Sequence, residues 1–355
     1  MAYTDIDKPS DYFNTKLYTG TGSTLNITGV GFQPDLVWTK GRDSTAEGVM
    51  DHALVDSVRG VTKTLRSNTT AVEGTETNSL TTFGSDGYTV GANGKFNYSS
   101  SDIYVSWNWK AGTSFTNDAS STGIGTIDST GSVNTDAGFS IVSYTGTGST
   151  GTVAHGLGAT PSMMIFKERA DDAHGWITYH HKNTSAPATE FLLLNTTQAT
   201  EDDADYFNDT APTSSVFTID TYGDINGSSD TYIAYCFAEK QGYSKFGSYT
   251  GNGSSDGTFC YLGFKPAFVM VKRTDSAQSW YMLDNKRNTF NPVDKYLLAN
   301  TSAAEDTFII PDFLSNGFKL RGTGSGSNAS GGSFIYMAFA KNPFVTSTGV
   351  PATAR

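Results

Sequence analysis

Hydrophobic residues along this chain alternate with polar ones over short stretches, as in "SVFTIDTYG", "NGFKLRGTG" and "DGYTVGANG", each ending in glycine. That two-residue period is the mark of a half-buried strand. Three other stretches, "PDLVWTK", "PSMMIFK" and "PAFVMVK", are almost continuously apolar. They read as strands covered on both faces or central in a sandwich, each headed by a proline, which is tolerated at a strand's first residue. Helical periodicity is nearly absent, so the pattern predicts an all-β chain.

The strands recur in register. Pro34, Pro161 and Pro266 open the apolar strands, and a lysine follows each at Lys40, Lys167 and Lys272. Asn68, Asn195 and Asn300, in "SNTT", "LNTT" and "ANTS", each stand 34 residues after their proline. An aromatic strand closes each unit: "YVSWNW" from Tyr104, "YIAYCF" from Tyr232 and "FIYMAF" from Phe334. Three landmarks in constant order define an internal repeat. The predicted fold is three tandem β-sandwich, jelly-roll-like repeats of about 100 residues each, long enough to bury their own cores and fold independently.

Boundaries follow from the spacing. Residues 1–112 form the first repeat with a short N-terminal arm, 138–241 the second, 242–345 the third, and 346–355 a C-terminal tail. The intervening 113–137 is rich in Gly, Ser and Thr, which predicts a flexible or extended linker. No such spacer separates the second and third repeats, so those two are expected to pack tightly while the first sits slightly apart.

Composition narrows the partners. Only 17% of residues are charged, the formal net charge is -11, and no window clusters Lys and Arg, which argues against a nucleic-acid partner. No run of 18 apolar residues exists for a membrane span, and the start "MAYTDIDKPSDYF" lacks the basic and apolar regions of a signal peptide. Two cysteines, Cys236 and Cys260, lie in stretches that read as buried strands and are expected to be free core thiols.

The landmarks, with "SDYFNTKLYTGTGS", "NDTAPTSSVFT", "QGYSKFGSYTGNG" and "SNGFKLRG…FIYMAFAKNPFV", resemble a family of repeat-containing virion proteins of unknown domain function from tailed phages of marine bacteria. The resemblance spans about residues 11–345 and implies a β-rich structural or adhesive protein on the particle, tail-associated, with no catalytic residues to carry over. It implies synthesis in the host cytoplasm, residence on the virion, and contact with other virion proteins and a host-surface glycan or protein receptor. Assembly as a homo-oligomer, by preference a trimer, follows from the habit of elongated phage appendages. Capsid decoration or a head fibre is the alternative, and a polysaccharide-degrading tailspike-like enzyme the second.

Candidate chemistry is sparse, and no cofactor or metal is expected. Sugar binding uses an aromatic platform beside polar groups, and Trp280, Tyr281, Asp284 and Arg287 in "SWYMLDNKRN", with Trp176 in the second repeat, are the glycan-binding candidates. Trp107 and Trp109 share one strand face and are expected to pack inward. The acidic run "EDDAD" at 201–205 reads as solvated surface, and "DINGSSD" at 224–230 as a turn rather than a calcium loop. His180 and His181, being adjacent, would point to opposite faces of a strand and read as incidental polar residues. The repeated lysines are expected to solvate strand ends, and the repeated asparagines to make local turn hydrogen bonds.

Overall fold

The computed structural model describes residues 3–43 and 50–351, and the fold is all-β, with only short helical turns. The end of the expected C-terminal tail, 352–355, lies outside the described residues.

The apolar runs became the middles of sheets. Each segment contributes a leading strand (Phe13–Thr19, Phe139–Thr145, Ser244–Thr250), a proline strand (Leu36–Gly41, Met163–Glu168, Phe264–Arg273), a return strand (Ala53–Asp56, Trp176–His180, Tyr281–Asp284) and a closing strand (Ile103–Trp109, Thr231–Phe237, Ser333–Pro343). In all three the order across the sheet is leading, closing, proline, return, with antiparallel pairing throughout. The closing strand therefore sits between two neighbours, and its two faces are buried in different clusters, as with Ile335, Met337 and Phe339 on one side and Phe334, Tyr336 and Ala338 on the other.

A second, smaller sheet faces each of these. Leu25–Thr28 pairs with Gly87–Val90, Gly151–Ala154 with Val216–Ile219, and Phe259–Tyr261 with Gly317–Leu320. Between the facing sheets lies a separate apolar cluster, for example Val269, Val271, Leu283, Phe313, Phe318 and Tyr336 in the last segment. Third, fourth and fifth strands follow one another in a single sheet, as in Met163–Glu168, Trp176–His180 and Glu190–Leu193. That meander departs from the paired Greek keys of a jelly roll.

The opposite faces of the three large sheets meet one another. One cluster joins Trp38, Trp107 and Trp109 to Ile165, Trp176 and Phe237 and to Phe268, Trp280 and Phe339. Trp109, Phe237 and Phe339 hold matching places in their closing strands and form a triangle, with ring centroids 6.3, 6.1 and 5.7 Å apart. The first segment does not stand apart from the others. It supplies a third of a common core.

Residues 113–137 are not a flexible linker either. Thr113–Asn117 and Ser129–Asn134 form a hairpin that continues the second large sheet beyond its leading strand. Serine, threonine and glycine suit this hairpin because its inner face must be thin: Gly131 lies opposite Val142 with the Phe115 ring packed on it.

Candidate functional site

The residues singled out for sugar binding are joints of the common core. Trp176 and Trp280 are 0% and 1% exposed, and Asp284 and Arg287 are buried as well. No sugar reaches them. Tyr281, half-buried, turns to the other side of the strand from Trp280 and packs at a tilt against Tyr296, with ring centroids 5.3 Å apart. The pattern of aromatics beside charges was correct as chemistry but is used within the chain.

The joints form a closed cycle. Trp176 Nε1 donates to the Arg66 carbonyl at 2.8 Å, Trp280 Nε1 to the Leu193 carbonyl at 3.0 Å, and His52 Nε2 reaches the Leu298 carbonyl at 3.0 Å. Second segment thus holds first, third holds second, and first holds third. His52 is fixed as the tautomer with its proton on Nε2, because Trp38 Nε1 donates to its Nδ1 at 2.9 Å. Burial holds His52 well below the usual histidine range, so it stays neutral.

The repeated asparagines position these rings, and their bonds are not local. Asn68, Asn195 and Asn300 accept through Oδ1 from the backbone N–H of His52, Trp176 and Trp280 at 2.9, 2.9 and 3.0 Å. Each carbonyl that receives a ring proton lies two residues before one of these asparagines. A single strand-turn element therefore both orients its own ring and receives its neighbour's.

Charges at the core are paired across the same joints. Arg59 Nε meets Asp56 Oδ2 at 2.5 Å, and the Tyr235 hydroxyl of the second segment donates to that carboxylate at 2.8 Å. Burial works against the Arg59 cation, but Asp56, Tyr235 and Glu73 beside it hold its pKa above the usual range. The matching group in the third segment is Arg287 on Asp284 at 2.6 Å, with Trp107 Nε1 donating to Asp284 at 3.2 Å and the guanidinium over the Trp107 ring. At the third joint His180 stands in place of the aspartate and donates to the Tyr336 carbonyl, its pKa pushed down to about 3 by burial. These histidines are structural parts of the joints rather than incidental.

Lys40, Lys167 and Lys272 do not solvate strand ends: all three are buried. Lys167 Nζ donates to the His174 carbonyl at 2.9 Å and Lys272 Nζ to the Gln278 carbonyl at 2.8 Å, tying the loop after each proline strand to its root. Burial pushes all three down to about 8. Cys236 and Cys260 are free and buried as expected, and Glu201, Asp202 and Asp205 lie exposed. Asp224 accepts from the Tyr206 hydroxyl at 3.0 Å, while Asn226 is buried and bonds the turn at 147–149. Among the described residues no group of three or more His, Cys, Asp or Glu is placed to hold a metal.

Open surface remains where the second and third segments meet. A groove of about 730 Å³ runs between the leading strand Ser244–Thr250 and the small-sheet edge Phe259–Tyr261. Tyr336 and Tyr249 line it, Phe259 and Tyr261 stand on its rim 43% and 50% exposed, and Lys182, Lys245, His181 and Glu239 flank it. Sequence reading missed this groove because its aromatics look like ordinary alternating strand residues. Gly247 stands where the other leading strands have Lys16 and Val142, but the Tyr336 ring of the paired strand lies over it, so the change of bulk is shared between two strands and gives no signal at either position alone.

A family model described as a domain of unknown function (DUF7483) matches residues 8–343. No curated protein matches the chain.

Proposed function

The chain belongs to the DUF7483 family, and for it we propose a non-enzymatic role as a virion surface protein, a tail-associated component that contacts the host cell. In this reading the chain is three β-sandwich units of about 100 residues each sharing one core. The observation that carries it is where the chemistry lies. The central ion pairs, histidines and tryptophans are consumed in holding segments together, while the dissimilar stretches are loops at the ends of the sheets.

Two of those loops share an end. Residues 3–7 pack beside Gln241, Gly263 and Ser347, at the end where the leading strands begin. At the other end the glycine-rich turns following the three leading strands stand beside the loops after the proline strands, "ADDAH" at 170–174 and "TDSAQS" at 274–279. Dissimilar loops on a rigid framework are a usual arrangement for recognition. The partners in this reading are other virion proteins and a host-surface glycan or protein. Assembly as a homotrimer is part of it, through contacts outside the core that one chain already completes.

Immunogold labelling of purified particles, followed by adsorption competition with the purified chain, tests the proposal. Label at the tail and reduced adsorption are the expected results. Label scattered over the capsid would replace this reading with decoration, and particles without label would end it.

A further inference from the structure

The three leading strands occupy the same position but have three different fates at their free edge. In the first segment Asn14 donates to the Val30 carbonyl at 3.0 Å and Lys16 lies over Gly29, so two side chains reach across to the small sheet and close the gap. In the second the hairpin of residues 113–134 closes it: Ser129–Asn134 pairs antiparallel with the leading strand, Ile127 bridges to Val153 of the small sheet, and Ile127, Val133 and Phe115 join the apolar cluster. In the third, Gly247 stands at the matching place under the Tyr336 ring of the paired closing strand, and no side chain or strand covers the edge beyond that ring, where the 730 Å³ groove lies.

We infer that this groove receives an extended segment of a partner polypeptide, added as a strand antiparallel to Ser244–Thr250. The second segment is the template for the fit. A strand at a sheet edge offers backbone groups in one direction and side-chain pockets at alternate positions. Phe246 bonds the His181 ring through its carbonyl at 2.8 Å and Glu239 through its N–H at 3.3 Å, so its backbone groups point away from the sheet, under two side chains that an added strand displaces. Ser248, two residues on, is exposed and shares that orientation, with no strand beyond it. It is the docking point.

The template also sets the ligand's chemistry. Opposite Val142 the hairpin has Gly131, with no room for more. Opposite Gly247 there is room, and the walls are Tyr336, Phe259 and Tyr261, so the segment carries a large apolar or aromatic residue there. Two residues further along, the position that Val133 holds opposite Ser140 falls opposite Lys245, whose Nζ lies 5.6 Å from the Tyr261 ring centre. Lys245 and Lys182 have no ion pair among the described residues, and an acidic residue at that position supplies one. This inference stands whether or not the chain is carried on a particle.

The probe is a synthetic peptide of residues 127–135 carrying Gly131→Phe and Val133→Asp, titrated into the full chain by fluorescence anisotropy and by amide hydrogen exchange. Saturable binding with new protection at Ser248 is expected, together with loss of affinity at high salt. Ser248→Pro removes the outward N–H, and proline is tolerated on an edge strand, so that variant keeps its melting temperature while binding weakens about tenfold or more. Tyr261→Ala weakens binding likewise without touching the backbone. No saturable binding, or equal binding to Ser248→Pro, overturns the inference. So does a sedimenting dimer of the free chain that Ser248→Pro dissociates, which would give the groove to a second copy. Competition by neutral oligosaccharides with peptide binding unaffected by Ser248→Pro would give it to a sugar and overturns it equally.

Discussion

His52, Trp176 and Trp280 each give one ring hydrogen to a carbonyl of a neighbouring segment, and each is buried where water cannot replace the bond. Trp280→Phe preserves most of the apolar volume but leaves the Leu193 carbonyl without its donor. A loss of about 1–3 kcal/mol in chemical denaturation is expected. Trp109→Ala removes a corner of the aromatic triangle, and about 3–5 kcal/mol is expected from the cavity and lost burial. The three buried lysines give a pH signature. Their folded pKa, about 8, lies below the unfolded value. Below that pH both states are protonated and the full cost of burying the charge is present. Between about 8 and 10 the unfolded chain binds more protons, so stability rises with pH until unfolded tyrosines ionise near 10. Thermal melts at increasing pH through that window should rise, and Lys272→Met should flatten the rise.

At the scale of elements, the hairpin 113–134 acts as an edge cover. Thr113 pairs with Val133, so its two ends lie side by side and the intervening residues can be excised with a short closure. Removing it should bare Val142 and Val153, raise binding of a hydrophobic dye, and speed hydrogen exchange across Phe139–Thr145; an unchanged exchange rate would show that the cover is dispensable. The strands themselves were legible in the sequence, because alternation and continuous apolar runs report burial on one or two faces. The hairpin was not. "STGSVN" has a linker's composition because its inner positions oppose a sheet and must be small. The open groove was hidden for a related reason: Gly247 and the Tyr336 ring lying over it exchange bulk between paired strands, so neither position alone records that the edge beyond is bare.

For the whole molecule, shared burial predicts one cooperative transition. Urea unfolding followed by tryptophan fluorescence and by far-ultraviolet circular dichroism should coincide, since Trp38, Trp107, Trp109, Trp176 and Trp280 all lie in the common cluster. A fragment of residues 138–241 alone should lack a sharp transition, because the face carrying Trp176, Ile165 and Phe237 would meet water. Independent folding was expected from unit length alone. Length counts residues but does not say which face of a sheet is finished. The candidates Trp176, Trp280, Asp284 and Arg287 misled in the same way: an aromatic beside an ion pair serves a ligand or an internal joint equally well, and burial alone separates the two.

The three edges of this molecule, bridged, covered and open, are a freedom that comes from covalent linkage. In a ring of identical chains every substitution is made three times, so an edge left bare in one is bare in all of them and a hairpin that covers one covers all. Here Lys16, Val142 and Gly247 stand at matching places and are inherited separately. A single ring can thus keep two sides shut for solubility and leave the third to vary with whatever it meets.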